Sequence, residues 1–139
     1  MRRLACRLLH DTGVPTTNTQ QTLGNLGESL ARDELTRYGY AILATRYRTR
    51  FGEIDIVAEE GGTIVFVEVK ARQSPRYGTA AETIGSQKRR RIAAMALDYL
   101  AKTNQLTTPC RFDVVAIDAI GTPRQRIELY KHAFVVDGR

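Results

Sequence analysis

Asp55, Glu68 and Lys70 are the residues of this chain whose types and spacing could do chemistry. They sit in the stretch Gly52–Arg72, GEIDIVAEEGGTIVFVEVKAR, where two apolar runs, Ile54–Ala58 and Thr63–Val69, flank a Glu59-Glu60-Gly61-Gly62 turn. That pattern predicts a β-hairpin. Ile64, Val65, Phe66 and Val67 are consecutively apolar, as in a strand covered on both faces, and charge begins abruptly at Glu68. Side chains alternate along a strand. Glu68 and Lys70 therefore share a face of the second strand, and Glu53, Asp55 and Val57 share a face of the first. If the hairpin pairs tightly, Asp55, Glu68 and Lys70 can converge. Two carboxylates brought together repel each other unless a cation or a proton offsets them. Their oxygens suit magnesium, which keeps waters for a phosphate substrate, and a lysine supplies charge for a water nucleophile or a transition state. The plainer reading is a Glu68–Lys70 ion pair at a strand end.

The elements around this stretch decide what surrounds those groups. A helix is predicted over Leu23–Tyr38, with Thr22 as N-cap and Gly39 as the residue that ends it. Steps of about 100° put Gly24, Glu28, Ala31, Leu35 and Tyr38 on one side, where Gly24 and Gly27 allow close approach to a sheet. Glu28 on that side is either satisfied by an arginine or faces the carboxylate site. A strand over Tyr40–Phe51 carries Arg46, Arg48 and Arg50 in alternation, a solvated edge or a rail for phosphates. Gln73–Gly78 reads as a loop that could close over a substrate. A second helix spans about Ser86–Lys102, with Ser86 as a possible N-cap and Ile92, Met95, Ala96, Tyr99 and Leu100 buried. Lys88, Arg89, Arg90 and Arg91 crowd its first turns, where the helix dipole disfavours cations. A nearby anion explains them, or a solvated charge run. Strands over Arg111–Ile117 and Ile127–Val136 follow, the first parallel to Thr63–Val69 through a right-handed crossover. Asp113 is read as structural.

A length of 139 residues suits one domain, and 42% hydrophobic with 26% charged residues is ordinary for a globular chain. A net charge of +6 and a pI near 9.7 favour a polyanionic partner, nucleic acid before an anionic membrane surface. Cys6 and Cys110 form neither a disulfide scaffold nor a CxxC metal spacing, which fits a reducing cytoplasm. No apolar run approaches the roughly 20 residues needed to span a bilayer. Residues 1–21 read as a flexible basic arm ending in the linker Thr16–Gln21, and residues 22–139 as the domain. Arg2-Arg3 and Leu4-Ala5-Cys6 lack the apolar stretch of a leader, and His10 is expected at the surface.

The blocks Gly27-Glu28, Gly39-Tyr40, Arg46-Tyr47-Arg48, Gly52-Glu53-Ile54-Asp55, Phe66-Val67-Glu68-Val69-Lys70 and Arg111-Phe112-Asp113-Val114-Val115 occur in that order. Asp55 followed by Glu68-Val69-Lys70 resembles the D…(D/E)-x-K signature of restriction-endonuclease-like nucleases. The whole series, from about Leu23 to Phe134, resembles the YraN-like family of bacterial proteins, regarded as predicted endonucleases similar to archaeal Holliday-junction resolvases. The resemblance implies an α/β, restriction-endonuclease-like fold with a mixed central sheet flanked by helices. It implies magnesium or manganese held by Asp55, Glu68 and the backbone carbonyl of Val69, with Lys70 positioning or deprotonating water. Glu28 becomes an outer or second-metal carboxylate. The substrate is DNA, branched or four-way forms included, with Arg46, Arg48, Arg50, Arg72, Lys88, Arg89, Arg90 and Arg91 on its phosphates and a homodimer allowed. Two other readings stay open. One is a non-catalytic nucleic-acid-binding protein on a nuclease fold; the other is a basic adaptor for an acidic protein.

Overall fold

The structure is a computed structural model that describes residues 16–73 and 84–135. Most of the basic arm, with Cys6 and His10, and most of the Gln73–Gly78 loop lie outside the described residues.

Two helices and five strands follow one another as α1 (Thr16–Arg37), β1 (Ala41–Thr49), β2 (Gly52–Glu60), β3 (Thr63–Ala71), α2 (Ser86–Lys102), β4 (Cys110–Asp118) and β5 (Arg126–Phe134). The strands form one sheet in chain order, β1-β2-β3-β4-β5. Every neighbouring pair is antiparallel except β3–β4, which is parallel. The mixed α/β architecture expected from the sequence is therefore present, with α2 as the crossover.

Each helix covers one face of the sheet. Ala31 and Leu35 of α1 pack on Ile56, Ala58, Val65, Val67, Val115 and Ile117. Ile92, Met95, Tyr99 and Leu100 of α2 pack on Ile54, Val57, Phe66, Phe112 and Val114. Alternation along β3 sends Ile64 and Phe66 to α2 and Val65 and Val67 to α1, which is why that run is apolar throughout. Gly61 and Gly62 close β2–β3 with φ of 57° and 84°, both in the left-handed region that a two-residue hairpin turn with matching twist requires.

Both helices end in the same device. Beyond α1, Gly39 (φ 91°) donates its N–H to the Thr36 carbonyl while Tyr40 N–H reaches Leu35. Beyond α2, Asn104 (φ 60°) and Gln105 repeat these bonds to Ala101 and Leu100. These are Schellman closures, and Gly39 and Asn104 are there because a left-handed residue is needed.

The helix starts differ from expectation. α1 begins at Thr16, so the stretch read as a linker is helical and Thr22 lies within the helix instead of capping it. Polar residues such as Thr, Asn and Gln do not forbid helix; they only remove the apolar periodicity that would reveal it. The N-cap of α2 is Gly85, not Ser86, and no side chain caps it. Tyr38 falls beyond α1 and is exposed, whereas Ala31 and Leu35 are fully buried as expected. A Cβ built on Gly27 would lie 3.4 Å from the Ala71 Cβ, so the helix and β3 do approach closely there. Nothing lies within 4 Å of the same atom on Gly24, which borders open space instead.

Candidate active site

The site arises where β2 and β3 part company. Their pairing runs from Glu60↔Thr63 to Ile56↔Val67 and stops, while β3 continues beside β4 as far as Ala71↔Ile117. Beyond the fork, Val69 N–H has no β2 carbonyl to meet. Asp55 takes that place, its Oδ2 accepting the Val69 N–H at 2.8 Å. Alternation along β2 is also broken here. Ile54 and Val57, three apart, both face α2, whereas Ile56 and Ala58 face α1. The expectation that Asp55 and Val57 share a face is thereby corrected. A strand that gives up its partner is free to twist, and the twist turns Asp55 into a cleft against α1.

That cleft has a volume of about 330 Å³ and is walled by Gly24, Asn25, Gly27, Glu28, Arg46, Glu53, Asp55, Val69 and Ala71. Glu68 lies on the other face of β3, where its Oε2 is 2.7 Å from Lys88 Nζ at the start of α2. Asp55 and Glu68 nevertheless feel one another. Burial first, and then the Glu68 charge, push the Asp55 carboxyl up to about 6, against the downward pull of the Val69 N–H and Lys88. Lys70, partly buried and in regular register with Ala116, keeps to Glu68's face of β3. Among the described residues Glu68 pairs with Lys88 and not with Lys70, so the ion pair expected at this strand end has a different cation.

Glu28 shares the cleft with Asp55 but is already partnered. Arg46 Nε donates to its Oε1 at 2.7 Å, and Arg32 lies 3.7 Å from Oε2 one turn along α1. Asn25 accepts a second hydrogen bond from Arg46, three residues before Glu28 on the same helix face. Among the described residues no three or more His, Cys, Asp or Glu side chains are grouped to hold a metal. Glu28 is thus not gathered with Asp55 and Glu68 into one carboxylate cluster. The carboxylate oxygens of Asp55 and Glu68 are the donor type that a hard divalent cation takes. Such a cation binds through one or two carboxylates plus water, and it would offset the burial and the Glu68 charge that together raise Asp55.

The arginines expected as one rail are divided. Arg46 has φ 51°, a left-handed backbone that long side chains seldom adopt, and it stands opposite Asp55 between Thr45↔Ile56 and Tyr47↔Ile54. The reversed φ breaks alternation and swings Arg46 toward α1. Arg48 pairs with Glu53 at 3.0 Å. β1 stops at Thr49, so Arg50 lies in the following turn, its guanidinium over the Phe51 ring at 5.0 Å. Arg72 is half-buried 3.7 Å from Asp118, with its backbone bonded to Ile117 and Ile120. That placement ties it to the scaffold beside β4. Arg89 points to the Ile84 carbonyl and the Phe134 ring, while Arg90 and Arg91 are exposed. Asn25 and the Lys88–Glu68 pairing were the features that sequence reasoning missed. Spacing from Glu28 could have indicated the first, but the second depends on how α2 crosses the sheet.

A family model described as "Uncharacterised protein family UPF0102" matches residues 27–117, which hold Glu28, Asp55, Glu68 and Lys88. The chain belongs to the UPF0102 family. This is the YraN-like group that the ordered sequence blocks resemble. Among its relatives, a UPF0102 protein of Symbiobacterium thermophilum is 46% identical over 112 residues, 81% of this chain and 95% of that protein. One from Syntrophus aciditrophicus is 48% identical over 111 residues, 80% and 87% of the two chains. One from Geobacter metallireducens is 49% identical over 114 residues, 82% and 93%. The UPF0102 match runs from Gly27 to Ile117, so β5 and the cleft residues Gly24 and Asn25 lie outside it while Glu28, Asp55 and Glu68 fall within it.

Proposed function

We propose that this UPF0102 protein is a metal-dependent endonuclease that hydrolyses phosphodiester bonds in DNA, branched DNA included. The observation that carries the reading is the β2–β3 fork, which turns a half-buried Asp55 toward Val69 and within the field of Glu68. A carboxyl raised by burial and by a second carboxylate, and turned into a cleft, is a candidate for metal or substrate binding. Magnesium or manganese, when bound, would supply positive charge for the scissile phosphate and lower the pKa of an attacking water.

The chain's own residues do the rest. Asp55 and Glu68 hold the cation, with the Val69 carbonyl as a further donor from the strand between them. Lys70 keeps an ammonium on Glu68's face of β3, suited to orient water or meet charge developing on phosphorus. Glu28 orients Arg46 over the cleft beside Asp55, and a guanidinium held there matches the oxygens of an incoming phosphate. Exposed Arg48, Arg90 and Arg91 and the net charge of +6 draw the polyanion in. A cytoplasmic location and a homodimer are compatible with this reading. Among the described residues no helix is long and apolar enough to cross a membrane.

The test is a cleavage screen over linear, nicked, flapped and four-way DNA with magnesium or manganese. Cleavage by the parent chain and its loss in Asp55→Asn and Glu68→Gln is the expected result. Metal-independent binding with no product on any substrate would return the chain to the non-catalytic reading.

A further inference from the structure

Of the four cations that open α2, Lys88 alone faces the carboxylate pair. Arg89 bonds to the Ile84 carbonyl at 3.1 Å and covers the Phe134 ring, and Arg90 and Arg91 are exposed. Lys88 Nζ lies 2.7 Å from Glu68 Oε2, with the lysine side chain 36% exposed and the glutamate 15%. The helix gains nothing from this placement. A cation in the first turn opposes the dipole, and the N-cap Gly85 offers no side-chain bond to offset it. Lys88 is therefore placed for Glu68. Its ammonium also acts on Asp55, so one cation serves both carboxylates. A divalent ion on Asp55 and Glu68 needs the same Glu68 oxygens and repels the ammonium that is using them. The lysine stem is flexible and partly in solvent, so the displaced group has somewhere to go.

We infer that Lys88 is a resident counter-ion of the Asp55–Glu68 pair, displaced by the incoming divalent cation and released to contact a substrate phosphate. Metal loading and DNA binding are thereby coupled: Lys88 meets phosphate only once Glu68 has been taken from it. This inference rests on the proposed metal-dependent reading and adds to it a competition within the chain.

The experiment is calorimetric titration of Mn²⁺, without DNA, into the folded parent protein and its Lys88→Met and Lys88→Arg variants. Lys88→Met should bind Mn²⁺ roughly two- to fivefold more tightly, the effect of removing one partly exposed competing ion pair, and Lys88→Arg should stay close to the parent. On the parent protein alone, acetylation of Lys88 followed by mass spectrometry should speed up several-fold when Mn²⁺ is added. Lys131, held 2.8 Å from Glu60 at the far end of the sheet, should not change. Weaker or unchanged Mn²⁺ binding by Lys88→Met would overturn the inference while leaving the metal site standing. Lys88 would then support Glu68 instead of competing for it. No Mn²⁺ binding by any of the three proteins would remove the metal reading itself, and this inference with it.

Discussion

The two ends of the β2–β3 hairpin both carry charge, and they treat it in opposite ways. On the turn side a network runs from Glu60 to Asp113, which lies level with Val67, is fully buried and accepts from Tyr40 Oη (2.7 Å), Arg111 Nε (3.0 Å) and His132 N–H (2.9 Å). Arg111 also reaches Glu60, and Lys131 Nζ lies 2.8 Å from the other Glu60 oxygen. Two acids meet two bases, every partner is bonded, and the hydrogen bonds from Lys131 and Arg111 hold the Glu60 carboxyl below its ordinary range. At the fork end, Asp55 and Glu68 share Lys88, and burial holds Asp55 above its range. The turn end matches two acids with two bases, whereas the fork end sets two carboxylates against the one ammonium of Lys88. A buried network with all its members bonded specifies a fold; perturbed carboxylates beside a cleft mark a candidate binding site.

The largest effect that can test this contrast is on catalysis. Asp55→Asn and Glu68→Gln should each lower metal-dependent DNA cleavage by several orders of magnitude, because each removes a cation ligand. Asp113→Asn should leave the specific activity of the folded fraction close to that of the parent. Loss of activity per folded molecule in Asp113→Asn would join the two ends into one functional unit and end the comparison.

Stability should show the reverse. Asp113→Asn takes from Arg111 one of its two carboxylate partners, Glu60 remaining, and the loss of such charge-assisted hydrogen bonds costs about 1–3 kcal/mol. Urea unfolding at pH 7 measures it directly. A loss under about 1 kcal/mol would mean that Glu60 and Tyr40 suffice for Arg111.

Asp55→Asn should stabilise the protein instead, and the gain should depend on pH. The folded carboxyl titrates near 6, above its ordinary 3.8. Between those values the folded state binds more protons than the unfolded one, so stability from this group falls as pH rises toward 6. Above pH 6 the full penalty is present, and Asn, which still accepts the Val69 N–H, removes it. A gain of about 1–2 kcal/mol at pH 7.5 that fades by pH 4.5 is expected, allowing for partial exposure. A gain of equal size at both pH values would locate its origin outside ionisation.

Much of the scaffold was legible because it is repetitive. The apolar faces of α2 and β3, the Gly61-Gly62 turn and the parallel crossover follow from periodicity and from residue types with narrow backbone preferences. Asp55 and Glu68 were legible as types at a spacing. What sequence could not supply was the fork. Strict alternation puts Asp55 beside Val57, and only the end of pairing at Ile56↔Val67 turns it to Val69. The departure of Arg46 from the alternation of β1 was hidden for the same reason, since a φ of 51° inside a strand leaves no trace in composition. Lys88 was visible as a misplaced charge near a helix start, but the anion that explains it lies on another element. Irregular backbone and long-range pairing are what periodicity misses, and here both concentrate at the candidate site.

The smallest test uses one substitution at both ends. Gly24 sits within α1 on the rim of the cleft, and a Cβ there meets nothing within 4 Å. Gly24→Ala should therefore stabilise the helix by about 0.5–1 kcal/mol, since glycine in a helix interior carries that entropic cost. Gly61 at the opposite turn also has an unobstructed Cβ position, but its φ is 57°. Gly61→Ala should destabilise by about 1 kcal/mol, because an L-residue is strained in the left-handed region. Space is free at both positions, so the opposite signs isolate backbone conformation from packing. The Gly24 result also bears on function. If the cleft takes a phosphate backbone as proposed, a bare helix surface at Gly24 leaves room for it to approach. Gly24→Ala should then be more stable and yet bind DNA less tightly. Unchanged DNA affinity would make Gly24 an ordinary imperfection of the helix, and the cleft wall would lose its claim to the substrate path.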